Sequence, residues 1–180
     1  PLAQFYHISY DMDIPYNIAG GMQDNGSWVG PSAVWKPGGI RNADWQEVYF
    51  GDGFDVVFKP SNNRYVYAMS QGGNVGFVDR KTGRSKNIRP THPENVPLRF
   101  NWNAAIAKVP GEDCGVYYGS QFVHQSLDCG ETWEIISPDL TTNDTLKQQQ
   151  DKSGGLTIDD TEAETHTPIL AIEPSPVRSN

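Results

Sequence analysis

The sequence predicts an all-β chain assembled from repeated four-stranded units, and three observations carry that prediction. Helical periodicity is nearly absent across the 180 residues. Short segments rich in Val, Ile, Tyr and Phe recur between clusters of Gly, Asn, Asp and Pro. Two pairs of these segments then repeat at a fixed distance along the chain.

In chain order the predicted strands are residues 4–9, 16–19, 55–59, 65–70, 75–79, 104–109, 116–119, 122–126, 134–137 and 169–173. The best helical candidate, residues 143–152, is polar all round and leads into Ser153-Gly154-Gly155, so it predicts no packed helix. The 18 Gly and 13 Pro are spread between the strands and supply frequent turns. The long stretch 140–166 contains Gln148-Gln149-Gln150 and reads as a lid or a disordered connection.

The repeat is visible in direct alignment. Residues 55–60 (DVVFKP) match 105–110 (AIAKVP), and 66–71 (VYAMSQ) match 116–121 (VYYGSQ), both fifty residues apart. Upstream, 17–23 (NIAGGMQ) matches the second strand again, and downstream 167–174 (TPILAIEP) restarts the first. Each unit reads strand, Pro-containing turn, strand ending in Gln, strand, turn, strand. Four strands in about 40 to 50 residues is the pattern of a β-propeller blade. The expected division is one blade over 1–49, a second over 50–97, a third over 98–140, a loop over 141–166, and the opening of a fourth over 167–180. A β-sandwich with coincidental spacing is the alternative. Propellers close with roughly four to eight blades. The chain, which begins at Pro1, is therefore expected to be a fragment of a larger propeller or to complete itself by association. The expected protein partners are the remaining blades or another copy of the chain.

Composition narrows the function. With 37% hydrophobic residues, five Trp, eight Tyr and seven Phe, the chain has the material for a core and is not a disordered segment. A formal charge of −8 with only 14 Lys and Arg argues against nucleic acid, whose phosphates need a cationic face. No apolar run approaches the roughly 18 residues of a membrane span. Neither a G-x-S-x-G elbow nor a P-loop is present. The four histidines, His7, His92, His124 and His166, lack ligand spacing, and His124 is expected to be structural. No metal or other cofactor is predicted, except that Asp11-Met12-Asp13 or Asp159-Asp160 are possible calcium ligands; such runs also occur as solvated loops.

One motif is sharper. Residues 126–133 (SLDCGETW) fit S-x-D-x-G-x-T-W at every fixed position. Gly130 can supply a positive φ, and Asp128 can accept backbone N–H groups of the turn. Ser126 and Thr132 can satisfy further backbone groups, and Trp133 can pack its ring between sheets. Residues 77–83 (FVDRKTG) are a degenerate copy without the Trp. The motif resembles the Asp box of bacterial neuraminidase repeats, seen in sialidases, xyloglucan-cleaving propellers and sortilin-type receptors. GGMQDNGSW at 20–28, FGDGF at 50–54, RFNW at 99–102 and THTPILAI at 165–172 extend the resemblance to bacterial BNR-repeat, sortilin-like or "glycosyl hydrolase" proteins. This implies a secreted or periplasmic, glycoside-hydrolase-like propeller that binds carbohydrate, with hydrolysis as the further expectation. The alternative it implies is a non-catalytic, sortilin-like propeller that holds a peptide.

Strand order assigns the turns to two ends of each blade. The motif lies at one end and is expected to be structural: Ser126, Asp128, Gly130, Thr132 and Trp133. At the other end the second-to-third turns carry Gln23, Gln71 and Gln121, with Asp24 and Asn25 beside the first. Inter-blade loops deliver Asp52, Asp55, Arg99, Asn101, Trp102, Glu164 and His166 to the same end. Amides, a guanidinium, an imidazole and a Trp suit sugar hydroxyls and ring faces, so Gln23, Gln71, Gln121, Arg99, Asn101, Trp102 and His166 are candidate ligand contacts. The same amides could instead cap their own turns. Glycoside cleavage needs two carboxyl groups roughly 5 to 9.5 Å apart; Asp52 is the first candidate, with Asp24 or Glu164 as partner.

Cys114 and Cys129 fall in turns at the motif end. Placed two strands apart, roughly 10 Å by strand spacing, they bridge only if the turns lean together, since a disulfide needs Cα atoms within about 7 Å. The sequence leaves both forms open. A bridge would imply an oxidising compartment.

Overall fold

A computed structural model of the chain describes residues 3–152, 165–166 and 168–177. It contains twelve strands in three four-stranded antiparallel sheets, each a meander in simple chain order. The first sheet is β1 (Ile8–Tyr10), β2 (Asn17–Met22), β3 (Gly26–Pro31) and β4 (Gln46–Tyr49). β5 (Val56–Phe58), β6 (Tyr65–Ser70), β7 (Asn74–Asp79) and β8 (Arg84–Asn87) form the second. β9 (Ile106–Lys108), β10 (Val116–Gly119), β11 (Val123–Ser126) and β12 (Glu134–Ile135) form the third. Single 3-10 turns occur at Asn42–Asp44, Gln71–Gly73 and Gln150–Lys152.

The chain divides into two compact units. One comprises residues 1–70 and 74–88, and holds the first two sheets; the other comprises 71–73 and 89–180, and holds the third. In the first unit the two sheets share a core of Ala19, Val29, Val48, Val56, Phe58, Val66, Ala68 and Val78, with Tyr49 packed against it. Alternate residues of β5 (Val56, Phe58) and of β6 (Val66, Ala68) point into this core, as the period-two rule requires. Each fully buried Val or Phe contributes about 1.5–3 kcal/mol relative to exposure. In the second unit Tyr118, with no exposed surface, lies 5.5 Å from Phe100 and 6.3 Å from Trp133 between ring centroids. Trp133 is therefore partly sheltered, not bare.

The fifty-residue repeat has a structural counterpart. β5 and β9 are both first strands at a sheet edge, and each pairs with the strand that follows a Pro-containing turn. Gln23, Gln71 and Gln121 each follow the second strand of their sheet and precede the third.

Three strands went unread in the sequence, and each has a reason. β3 (GSWVGP) is rich in residues that disfavour strands and forms because six register pairs with β2 and the packing of Val29 outweigh propensity. β8 (RSKN) is exposed at all four positions and has no apolar pattern to detect. It is an edge strand held by backbone pairing to β7, and its charge suits an unpaired edge. β4 pairs with β3 across a register shift at Ser27 and Trp28. Conversely, the strand predicted at 169–173 joins no sheet among the described residues. Its one backbone link there is Ile169 N–H to Ser120 O at 2.8 Å.

Asp128 organises the turn between β11 and β12. One carboxylate oxygen accepts Thr132 N–H at 2.9 Å and Ser126 O–H at 2.8 Å, and the other accepts Thr132 O–H at 2.6 Å. Ser126 Oγ accepts Gly130 N–H at 2.8 Å, and Gly130 has φ +85°. The Thr132 hydroxyl and amide together hold the Asp128 carboxyl below its usual range. The turn between β7 and β8 repeats the design. Asp79 accepts Lys81 N–H and Thr82 O–H, and Arg64 closes a two-pronged pair onto it at 2.6 and 2.5 Å.

A disulfide joins Cys114 and Cys129, with Cα atoms 4.5 Å apart. The two-strand separation inferred from turn order is corrected here. Cys114 precedes β10 and Cys129 follows β11, and these strands are neighbours in which Val116 pairs with Ser126. One strand spacing separates them, and Cys129 N–H donates to Cys114 O at 3.1 Å. Among the described residues no helix is long and apolar enough to cross a membrane.

Candidate functional site

The β2–β3 turn is the best-defined candidate. Its register runs to Met22↔Gly26, leaving Gln23, Asp24 and Asn25 at the tip. Asp24 takes φ +60°, a left-handed conformation that Asp tolerates better than most residues. The 51–54 loop clamps this tip from below. Gly26 N–H donates to Gly51 O at 2.9 Å, Gly53 N–H to Met22 O at 2.9 Å, and Gly21 N–H to Phe54 O at 2.8 Å. The two backbones lie so close that a Cβ on Gly21 would overlap the Phe54 amide, and one on Gly53 would overlap the Gly26 carbonyl. This contact explains Gly21 of GGMQDNG and Gly53 of FGDGF.

Within the clamp, Asp52 accepts the Asp24 backbone N–H at 2.8 Å. The structure thus brings two of the sequence-predicted carboxylate residues together, through the Asp52 side chain and the Asp24 backbone. The third, Glu164, lies outside the described residues. Asp55, three positions on, is a carboxylate whose environment the sequence did not reveal. Burial raises its carboxyl above the usual range, while His7, whose Nδ1 lies 3.1 Å away, pulls in the opposite direction. Its position immediately before the buried β5 run was the available signal.

Beside the turn is a cavity of about 660 Å³. Its polar walls are Gln4, Gln23, Asn25 and Asn42; the rings of Phe5 and Tyr6, with Ala3 and Met22, complete it. Tyr6 O–H donates to Gln23 Oε1 at 2.6 Å, Asn25 Nδ2 donates to Gln23 O at 2.9 Å, and Trp28 Nε1–H donates to Asn25 O at 2.5 Å. Phe5 stacks on Trp45 with centroids 6.1 Å apart, and Tyr6 lies 4.8 Å from Phe54. Every side chain on these walls is uncharged at neutral pH. Sequence reasoning missed Gln4, Phe5, Tyr6 and Asn42, because nothing in their spacing shows that the N-terminal segment crosses the β2–β3 turn.

The second unit holds the remaining predicted contacts in other roles. Gln121 is 1% exposed. Its Oε1 accepts Arg99 N–H at 2.8 Å and its Nε2 donates to Pro97 O at 3.0 Å, so it positions the 97–99 segment. Arg99 itself spans Asp139 at 3.0 Å, Thr141 at 2.7 Å and Asn143 at 3.0 Å. Burial alone would raise the Asp139 carboxyl, but hydrogen bonds from Thr141 and Arg99 outweigh it and lower the group below its usual range. Asn101 Oδ1 accepts Asn103 N–H at 3.0 Å. Gly72 N–H, next to Gln71, donates to the Trp102 carbonyl at 3.3 Å. His166 Nε2 is buried without a hydrogen-bond partner among the described residues.

The calcium candidates are placed as follows. Asp11 accepts Asn17 N–H at 2.8 Å, Asn17 Nδ2 at 2.5 Å and Asn63 Nδ2 at 2.6 Å, and Asn63 Nδ2 also reaches Asp13 at 2.6 Å. N–H donors therefore occupy the oxygens a cation would need. Among the described residues no three His, Cys, Asp or Glu side chains gather as a metal site; Asp159 and Asp160 lie outside them. His124 is fully buried in β11 with Nε2 2.8 Å from Ser120 Oγ, a structural position.

Compared with protein-family models, curated proteins and solved structures, the chain matches none of them.

Proposed function

We propose that the chain is a carbohydrate-binding segment of an Asp-box β-propeller that works in an oxidising compartment. The observation that carries this reading is the cavity at the β2–β3 turn: four amide side chains and two aromatic rings around about 660 Å³, with no carboxylate among the described residues of its walls. Amides offer paired donors and acceptors to hydroxyls, and rings offer faces to the apolar side of a pyranose. The propeller component is supported by three four-stranded meanders with a Gln at the same turn of each, and by the Asp128 turn with its copy at Asp79. The Cys114–Cys129 bridge supports the compartment.

Binding is favoured over hydrolysis. The Asp52 carboxylate is engaged by the Asp24 amide, and the cavity presents amides where a glycosidase needs two carboxyl groups.

The test is a glycan array followed by calorimetric titration of the strongest hit. Gln23→Ala and Tyr6→Phe should weaken binding at least tenfold, whereas Asp52→Asn should weaken it through the turn it clamps without altering glycan preference. A chromogenic glycoside panel should show no turnover. Unchanged affinity in Gln23→Ala would overturn the reading, and binding to an extended-peptide array alone would replace it with the sortilin-like one.

A further inference from the structure

The N-terminal strand is inverted with respect to its own sheet. A half-buried strand normally turns apolar residues inward and polar residues to water. In β1 and the connection that follows it polar side chains take every second position, of which Asp11 is buried and Ser9 half-buried while His7 and Asp13 stay exposed. His7 pairs with Asp55 at 3.1 Å, Ser9 O–H donates to Val56 O, Asp11 is held by Asn17 and Asn63, and Asn63 also holds Asp13. The alternate positions are apolar and face out: Ile8 is 71% exposed, Tyr10 65%, Met12 87%, Ile14 99% and Tyr16 48%. The Tyr10 and Tyr16 rings lie 6.3 Å apart edge to face, which joins the end of β1 to the residue before β2. Ile18, the cross-strand partner of Tyr10, continues the same face, while Gly20, the partner of Ile8, is covered by the Phe5 ring.

We propose that this face is the contact surface of a two-fold dimer, covered by the same face of a second copy of the chain. Three observations select a copy as the occupant. The exposed surface of the five side chains is on the order of 700 Å², close to the roughly 800 Å² per partner of a standard interface and above the few hundred Å² of apolar patch a monomer exposes. None of the five is charged at neutral pH, although the chain carries −8; of the neighbouring carboxylates Asp11 is buried, and Asp13, which stays exposed, is held by Asn63. The five side chains themselves therefore oppose no like charges across a two-fold axis. The opposite face of this sheet is already covered by a four-stranded sheet of the same chain through the Ala19, Val29 and Val48 core, so sheet-on-sheet packing is a geometry these strands accept.

The experiment is sedimentation equilibrium and light scattering on the whole chain at micromolar concentration. The expected mass is twice the 20.0 kDa of the chain. Met12→Arg with Ile14→Arg places two charges at the most exposed positions. It should return the monomer, or weaken dimerisation at least tenfold, while far-ultraviolet dichroism stays as in the parent. Tyr10→Ala serves as a second, uncharged variant and should weaken the dimer in the same direction. A parent chain that stays monomeric throughout leaves this face to a different sheet and overturns the proposal. A dimer indifferent to both variants uses another surface and overturns it equally.

Discussion

Lowering the pH should unfold the second unit through one side chain, His124. The residue has no exposed surface and lies in β11 with its ring edge-on to Trp133 and Phe122, centroids 6.4 Å away in both cases. Nδ1 has no hydrogen-bond partner among the described residues, and Nε2 meets Ser120 Oγ at 2.8 Å. Burial first, and the neighbouring His92 second, push its pKa down to about 4, against 6.5 for a free imidazole. The unfolded chain therefore binds a proton between these limits that the folded chain refuses. Stability from this group is fully present above about pH 6.5 and is lost as the pH falls toward about 4. A shift of this size is linked to about 3 kcal/mol, a large share of the 5–15 kcal/mol of a typical domain. The assay is urea unfolding at half-unit pH steps, followed through Trp fluorescence, for the parent and for His124→Gln. The variant should start less stable at neutral pH, because it disturbs a packed site, but its stability should fall less between pH 6.5 and 4. Carboxylates common to both chains cancel in the difference. Parallel pH curves for parent and variant would refute the reasoning.

Two further predictions test the local devices. Replacing Cys114 and Cys129 by Ala opens a loop fifteen residues long and should cost about 3 kcal/mol; dithiothreitol should reproduce the loss in the parent, and a melting temperature unmoved by either treatment would count against it. Gly21→Ala drives a Cβ into the Phe54 backbone amide and should cost about 1–3 kcal/mol or more. Because the 51–54 clamp shapes the β2–β3 turn, the same variant should also lose glycan affinity, whereas Gly39→Ala, which is strained by its φ of +65° but whose Cβ meets open space, should lose stability and keep affinity.

The strands that were legible were those whose side chains announce a core. β5, β6, β7 and β10 are rich in Val, Phe and Tyr and bury most of them, and their reading rests on chemistry local to each segment. β8 failed because its order comes entirely from the backbone of β7, and β3 failed because its stability comes from Val29 and its neighbours, not from Gly26, Ser27 or Pro31. The candidate site divided in the same way. Gln23 and Gln121 occupy equivalent turns, yet one edges a cavity and the other is buried against Pro97 and Arg99, a difference set by which segment crosses each turn. The outward apolar face of β1 was also invisible, since a period-two pattern reads identically whichever side meets solvent.

What the sequence determined by itself was local. It specified the all-β class, the fifty-residue spacing of equivalent strands, and the hydrogen bonds that the Asp128 and Ser126 side chains make in their turn, whose partners lie within four residues of each other. What only the tertiary structure decided was adjacency between segments distant along the chain. It set Cys114 one strand from Cys129, seated Asp52 under Asp24, drew Tyr6 onto Gln23, and turned Asp11 inward while Ile8 and Ile14 face out. Each of these depends on register and on which face of a sheet is covered, and a sheet's two faces become different only when another element packs against one of them.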